Sequence, residues 1–253
     1  MGAIIAVLNQ KGGVGKTTTT INLAAYLAKA GRRVLIVDFD PQGNATSGLG
    51  LDKNVAAATI YDVLLGKATA TAATQQTTVD NILIIPANAD LAAAEVELVG
   101  RANRERLLSV ALEGLDYDYI LIDCPPSLGL LTVNALAAAD QLLVPVQAEY
   151  YALEGLSQLL SVFQTVRNGL NTNINILGIV VTMYDSRTSL SEQVHTELKN
   201  HFGDKLCKTV IPRNIRLAEA PSHGKTIADH DKWSKGARAY KQLSKEIIKR
   251  IEG

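Results

Sequence analysis

Residues 3–18 read Ala3-Ile4-Ile5-Ala6-Val7-Leu8-Asn9-Gln10-Lys11-Gly12-Gly13-Val14-Gly15-Lys16-Thr17-Thr18, and this stretch decides the fold. The first six residues are apolar and too few to span a membrane, so they predict a short buried strand. A glycine-rich segment follows at once, and a helical pattern begins at Thr17. A glycine-rich turn between a strand and a helix lets backbone N–H groups surround one anion. We therefore predict a phosphate-binding loop here.

Each position of this loop has an expected role in holding a nucleotide. The glycines permit backbone torsions that a Cβ would forbid, so their N–H groups can turn toward phosphate oxygens. Lys16 supplies a catalytic positive charge for the β- and γ-phosphates, and the hydroxyl of Thr17 is placed to ligate magnesium. We expect ATP and Mg²⁺ as cofactors, with the nucleotide bound by Lys11, Gly12, Gly13, Val14, Gly15, Lys16, Thr17 and Thr18.

Short apolar runs recur along the chain, and each is followed by a longer helical pattern. They are nearly continuous rather than alternating, which is typical of strands buried on both faces of a parallel sheet. The pattern predicts an α/β fold with a doubly wound, mostly parallel sheet, helices on both faces, and one domain over residues 1–253. The predicted strands are residues 3–8, 34–37, 82–85, 119–122, 142–146 and 176–181, with 209–211 as a weak seventh.

Two of the predicted strands end in acidic residues. Asp38 and Asp40 follow the second predicted strand, and Asp123 follows the fourth. Ligands of doubly wound sheets bind at the carboxyl ends of strands, so these acids should lie near the phosphate loop. We predict that Asp123 binds Mg²⁺ directly or through water, and that Asp38 holds the ion through water or contacts the loop. The two prolines at 125–126 cannot continue a ladder, so the chain should leave the sheet there as a switch loop.

Charge is distributed unevenly along a chain whose formal net charge is zero. Residues 186–250 hold 14 Lys and Arg against 7 Asp and Glu, whereas the rest holds 11 against 18. This asymmetry suits salt-sensitive contact with the phosphates of nonspecific double-stranded DNA, and solvated helix faces can give the same pattern. Cys124 and Cys207 are far apart, with no CxxC spacing and no nearby histidine, so we expect neither a disulfide scaffold nor a zinc site.

The phosphate loop departs from the usual Gly-x4-Gly-Lys-[Ser/Thr] pattern, because Gln10 stands where glycine is expected and Lys11 is an additional cation. The loop resembles that of the deviant Walker A family of P-loop ATPases, which includes the ParA/Soj and MinD proteins, the nitrogenase iron protein and the arsenite-pump ATPase. The resemblance implies a homodimer when ATP is bound, in which Lys11 is catalytic and stabilises charge on the partner's nucleotide. The residues alone also permit a second lysine that acts in cis.

Within that family the chain is most similar to the chromosomal ParA/Soj partition ATPases, over essentially its whole length. The similarity includes residues 59–64, 145–155, 183–187 and 211–224. It implies that Asp40 is catalytic and orients the attacking water. It also implies that the adenine lies between Pro212 and Asn214. DNA would contact Arg187 and Arg216, a ParB-like partner would speed hydrolysis, and the protein would be cytoplasmic and nucleoid-associated.

Three other functions compete with partition, and one of them, a purely structural dimer with nucleotide as glue, is disfavoured by the presence of Asp40. A MinD-like membrane-associated ATPase would use residues 237–251 as an amphipathic surface helix, with its apolar residues on one side and lysines opposite. A packed final helix shows the same pattern and is far commoner, so we expect no stable membrane association. A metal-cluster carrier would need paired cysteines at a dimer interface, and Cys124 and Cys207 match no such arrangement.

Overall fold

The computed structural model describes residues 2–149 and 152–253. Tyr150 and Tyr151, part of the segment 145–155 that contributes to the family resemblance, lie outside the described residues. The strands are β1 (Ala3–Val7), β2 (Val34–Asp38), β3 (Gln75–Gln76), β4 (Ile82–Ile85), β5 (Tyr119–Asp123), β6 (Gln141–Gln147) and β7 (Asn175–Thr182). The α-helices are α1 (Lys16–Lys29), α2 (Asn44–Gly48), α3 (Ile60–Leu65), α4 (Ala70–Ala73), α5 (Leu91–Glu97), α6 (Leu107–Leu112), α7 (Leu130–Ala138), α8 (Ala152–Gly169), α9 (Ser189–Phe202), α10 (Ile215–Glu219), α11 (Ile227–His230) and α12 (Lys235–Glu252). Short 3₁₀ turns occupy Arg104–Arg106, Gly203–Lys205 and Ala220–His223.

Within the described residues, seven strands form one sheet in the order β3-β4-β2-β5-β1-β6-β7. All neighbouring pairs are parallel except β3 with β4. The six apolar runs predicted as strands are all present, as β1, β2, β4, β5, β6 and β7. Every residue of β2 and β5 is buried, as expected for central strands covered on both faces. The predicted mostly parallel α/β fold is confirmed.

Successive residues of the central strands face opposite hydrophobic clusters, as the period of two in a strand requires. Ala6 of β1 and Leu35 of β2 belong to the cluster that includes apolar residues of α3, α5, α6, α7, α8 and α9. Ile5 and Ile36 belong to the second cluster, with apolar residues of α1, α11 and α12. Helices therefore cover both faces, which is the doubly wound arrangement predicted from the sequence.

The prediction of a weak strand at residues 209–211 is wrong. The segment runs beside β7, where the N–H of Ile211 donates to the Val181 carbonyl at 2.8 Å. The N–H of Thr209 instead donates to the Glu246 carboxylate at 3.0 Å, and the Thr209 hydroxyl donates to the same oxygen at 2.8 Å. Because a side chain of α12 takes these donors, no regular ladder forms along this edge.

The last helix, α12, presents its apolar side to the core. Ala237, Tyr240, Leu243 and Ile247 are buried in the same cluster as α1, and Ile248 and Ile251 are partly buried against it. The amphipathic pattern of residues 237–251 is therefore that of a packed surface helix. Among the described residues, no helix has both the length and the apolar character that crossing a membrane requires.

Three adjacent strands bring the predicted site residues to one edge of the sheet. The glycine-rich loop begins after β1, which pairs with β5 on one side and β6 on the other. Asp38 and Asp123 are the last residues of β2 and β5, and the register of the sheet sets them directly opposite each other. The carboxyl ends of parallel strands thus gather the phosphate loop and two acids, as the sequence predicts.

Candidate functional site

The loop between β1 and α1 is shaped by glycines and held by the neighbouring strands. Gly13 and Gly15 have φ values of 75° and 88°, in the left-handed region that a residue with a Cβ seldom adopts. Thr182, at the end of β7, donates its hydroxyl to the Val14 carbonyl at 2.8 Å. The side-chain amide of Asn9 donates to a carbonyl of β6 at 2.8 Å. These two hydrogen bonds tie the loop to β6 and β7.

Lys16 is the first residue of α1, and its side chain turns back across the loop. Its Nζ donates to the Lys11 carbonyl at 3.1 Å. Burial lowers the pKa of Lys16, and the carboxylates of Asp123 and Asp40 oppose that shift. A buried ammonium facing two carboxylates, beside the N-terminus of a helix, is well suited to hold a polyanion bound together with a divalent cation.

Asp123 is completely buried, and its two carboxylate oxygens differ in their hydrogen bonds. Oδ1 accepts a hydrogen bond from the Thr20 hydroxyl at 3.2 Å, whereas Oδ2 has no hydrogen-bond partner among the described residues. Burial and the facing carboxylate of Asp38 raise the pKa of Asp123, and the Thr17 hydroxyl acts in the opposite direction. An orphaned buried oxygen next to a hydroxyl fits a hard cation such as Mg²⁺, which favours oxygen ligands.

Asp38 and Asp40 have different partners within the loop that follows β2. Asp38 is also fully buried, and its Oδ2 accepts from the backbone N–H and the hydroxyl of Thr46 at 2.8 and 2.6 Å. Its Oδ1 accepts a long bond of 3.4 Å from the Asp40 N–H. Asp40 is 7% exposed, and its Oδ1 accepts from the Gln42 N–H at 2.9 Å. Asp38 therefore anchors the loop that carries Asp40.

A cavity of about 370 Å³ opens beside the phosphate loop. Pro212 and Asn214, the two residues predicted to hold adenine, both line it. The cavity is lined by Gly15, Thr18, Thr182, Met183, Ile211, Pro212, Arg213, Asn214, Ile215, Leu217, Ala218 and Tyr240. Asn214 also caps α10, because its Oδ1 accepts from the Arg216 N–H at 2.9 Å. A mainly apolar cavity with one amide suits a planar base next to the phosphate loop.

Lys11 is held by a residue that the sequence did not single out for a role. Its Nζ lies 2.5 Å from Glu149 Oε2, and both side chains remain partly exposed. Glu149 follows β6 and is also bonded by the side-chain amide of Gln147. The spacing of 138 residues between Lys11 and Glu149 left no local signal of this contact. Thr46 is only eight residues from Asp38, but their contact depends on how the intervening loop folds back, so no pattern in the sequence predicts it.

The two arginines predicted to contact DNA are both exposed, and both are paired with acids. Arg187 donates to both carboxylate oxygens of Asp185, at 2.9 and 2.7 Å. These bonds hold the pKa of Asp185 well below its usual range. Arg216 Nη1 lies 2.9 Å from Glu219 Oε2. Each guanidinium is therefore partly neutralised by its own chain.

The segments that carry these arginines lie side by side. The Arg213 N–H donates to the Tyr184 carbonyl at 3.1 Å, and a bridge joins Tyr184 to Pro212. Met183, shortly before Arg187, and Ile215 and Leu217, on either side of Arg216 in sequence, line the cavity beside the phosphate loop. The chain segments that carry both predicted arginines therefore border this cavity, although neither arginine is among its lining residues.

Comparison with known proteins gives matches along nearly the whole chain. The family model described as "AAA domain" matches residues 2–176. The sporulation initiation inhibitor protein Soj of Bacillus subtilis is 57% identical over 249 residues, which cover 98% of each chain. The chromosome-partitioning ATPase Soj of Treponema pallidum is 52% identical over 252 residues, covering 99% of this chain and 98% of that protein.

Among solved structures, cobyrinic acid a,c-diamide synthase of Mycobacterium smegmatis with a bound ATP analogue and magnesium matches with a TM-score of 0.88. It is 38% identical, and the match covers 100% of this chain and 97% of that one. The higher identities belong to the two Soj proteins, which match from end to end. The chain therefore belongs to the ParA/Soj family of chromosome-partitioning ATPases.

Proposed function

We propose that this chain is a DNA-partitioning ATPase, whose single domain over residues 1–253 binds ATP with Mg²⁺ and hydrolyses it to ADP and phosphate. The observation that carries the proposal is the buried Lys16 ammonium facing the carboxylate of Asp123, one oxygen of which has no partner among the described residues. Phosphoryl transfer requires a positive charge for the phosphates and an acid that can bind a metal ion. Lys16, at the end of the glycine-rich loop, and Asp123, at the end of β5, supply these two groups.

The residues of the phosphate loop would share the work of binding. Backbone N–H groups from Lys11 to Thr18 would hold the phosphates, and the Lys16 ammonium would move from the Lys11 carbonyl to the β- and γ-phosphate oxygens. Thr17 and Asp123 would ligate Mg²⁺, and Asp38 would hold it through water. The bound metal would supply positive charge that neutralises the phosphates. Pro212 and Asn214 would fix the adenine.

Two further residues would act on the reaction itself. Asp40 is buried near Lys16 and would orient the water that attacks the γ-phosphate, since a positioned carboxylate is a competent general base. Lys11 would contact the nucleotide of the partner subunit in an ATP-bound homodimer and stabilise the developing charge. That role requires Lys11 to leave Glu149, which it contacts in the single chain.

The nucleotide would control DNA binding through dimerisation. Two chains joined by ATP present two sets of basic residues, including Arg187 and Arg216, and paired sites bind a polyanion with avidity. Hydrolysis would remove the γ-phosphate contacts, weaken the dimer and release the DNA. A ParB-like partner would accelerate this step, and the ATP-bound protein would be associated with the nucleoid. A MinD-like membrane function is less well supported, because α12 buries its apolar side in the core.

The experiment that tests this function is fluorescence anisotropy with random-sequence duplex DNA at one fixed salt concentration. We expect binding with ATP and Mg²⁺, and much weaker binding with ADP. Lys16→Ala, which removes the phosphate-binding ammonium, is expected to abolish the difference between the nucleotides. Equal binding with ATP and ADP, or no binding with either, would contradict the DNA switch. In the second case ATP-dependent binding to anionic liposomes would be measured next.

A further inference from the structure

Helix α7 begins immediately after the switch loop, which we define as residues 125–128. Its N-cap residue is Gly129, which has no side chain to cap the helix, and its first turn contains no acidic residue. The first N–H groups of a helix have no partners within the helix, so they need an acceptor from elsewhere. For α7 that acceptor comes from a different helix.

Glu95 of α5 supplies the acceptor for the first turn of α7. The Leu131 N–H, in the first turn of α7, donates to Glu95 Oε1 at 3.4 Å. The carboxylate lies so close to Gly129 that a Cβ added there would be 2.2 Å from Glu95 Oε1. Gly129 has φ −83° and ψ −163°, which any residue can adopt, so its torsions do not require glycine. A side chain at this position would therefore have to displace the Glu95 carboxylate.

The start of α7 is in turn tied to the switch loop. The Thr132 hydroxyl donates to the Ser127 carbonyl at 2.6 Å. Pro126, Ser127 and Leu128 line a cavity of about 500 Å³ together with Lys11. Whatever fixes the first turn of α7 therefore also fixes the loop that faces Lys11.

We propose that Glu95 is a positioning residue for the switch loop, which it holds in place by capping α7 from outside the helix. A carboxylate at this end satisfies an unpaired N–H and interacts favourably with the helix dipole. Glu95 does not touch the nucleotide site itself and acts only through α7. The consequence for turnover rests on the proposed ATPase function.

The test is a double-mutant cycle with Glu95→Ala, Gly129→Ala and the double variant. In nucleotide-free protein, hydrogen exchange of the Leu131 amide should be roughly three- to tenfold faster in either single variant, as for the loss of a helix cap. The alanine methyl at position 129 should displace the Glu95 carboxylate, so both single changes remove the same contact. Exchange at Leu131 in the double variant should therefore be no faster than in either single variant. The kcat for ATP should fall roughly three- to tenfold in the same three variants, with KM unchanged within about twofold.

Two further variants separate positioning from a general loss of structure. Glu95→Gln keeps an acceptor oxygen without the charge and should recover most of the kcat. Glu97→Ala, on the same helix, removes a carboxylate that accepts from the Tyr61 hydroxyl at 3.1 Å, and should leave exchange at Leu131 and kcat unchanged. Additive losses in the double variant, or faster exchange with an unaltered kcat, would overturn the proposal. If the unmodified protein hydrolyses no ATP, the proposed function fails, and the exchange cycle alone decides whether Glu95 holds α7.

Discussion

Lys11 and Glu149 form an ion pair within one chain, with Nζ 2.5 Å from Oε2. Their side chains are 42% and 44% exposed, so water and salt still reach the pair. The Glu149 carboxylate offsets the charge of Lys11 and holds its side chain within its own chain. The intrachain pair therefore competes with the role proposed for Lys11 in the dimer.

Glu149→Gln should strengthen ATP-dependent dimerisation, because it removes the competing charge. Exposed ion pairs contribute about 0.2–1 kcal/mol, so the dimer dissociation constant should fall by up to about fivefold. Sedimentation with a slowly hydrolysed ATP analogue measures it. Glu105→Gln, which breaks the exposed pair with Arg104, is the matched control. A weaker dimer would mean that Glu149 itself contributes to the interface.

Asp40→Ala should slow hydrolysis while leaving ATP binding and dimerisation intact. A positioned base typically contributes 10²–10⁴-fold, so we expect phosphate release to fall by at least about 10²-fold. The variant should consequently accumulate as an ATP-bound dimer on DNA. Asp52→Ala, which removes an acid farther along the chain whose carboxylate accepts from the Asn54 N–H, is the control. Rapid turnover by Asp40→Ala would rule out its assigned role.

Asp123→Asn should remove most of the stabilisation that Mg²⁺ adds to the nucleotide-bound protein. In the metal-free protein, burial and the facing carboxylate of Asp38 raise the pKa of Asp123, so an uncharged amide at this position should leave the melting temperature unchanged or higher. In the unmodified protein, ADP with Mg²⁺ at a hundredfold excess over the dissociation constant should add about 2.7 kcal/mol. That corresponds to roughly 5–10 °C for a chain of this size.

Thermal unfolding with ADP, with and without Mg²⁺, measures this effect in each variant. Asp123→Asn should lose most of the Mg²⁺-dependent shift, and Asp116→Asn, at an exposed acid paired with Arg33, should keep it. An undiminished Mg²⁺ response in Asp123→Asn would show that other residues hold the ion.

The strands and the acids at their ends, Asp38 and Asp123, could be predicted because their signals lie in short, continuous stretches of the sequence. Apolar runs that are buried on both faces identify the strands, and parallel strands end at the same edge. The facing of Asp38 and Asp123 follows from those two facts once β2 and β5 are neighbours. Glycines that need φ above zero mark the loop between β1 and α1 in the same way.

The partners of these residues could not be predicted, because their contacts depend on how the chain folds and follow no fixed spacing. Glu149 meets Lys11, Thr46 meets Asp38 and Glu95 meets Gly129 only after the chain has folded. Residues 209–211 looked like a strand by composition, but the Glu246 carboxylate takes the Thr209 N–H. Side-chain competition for backbone donors leaves no periodic signal in the sequence.

The DNA contacts proposed for the basic residues within 186–250 can be tested at Arg216, by one change that should weaken binding and one that should strengthen it. Arg216→Glu should weaken ATP-dependent DNA binding and leave dimerisation intact, because one phosphate contact is lost and a negative charge is added. Glu219→Gln should strengthen ATP-dependent DNA binding, since it removes a carboxylate that lies 2.9 Å from the Arg216 guanidinium. Anisotropy titrations over a range of salt concentrations should give a shallower salt dependence for Arg216→Glu, by about one unit of slope for each lost contact. Unchanged affinity and slope in both variants would remove Arg216 from the DNA interface, because a residue that contacts phosphate must respond to both changes.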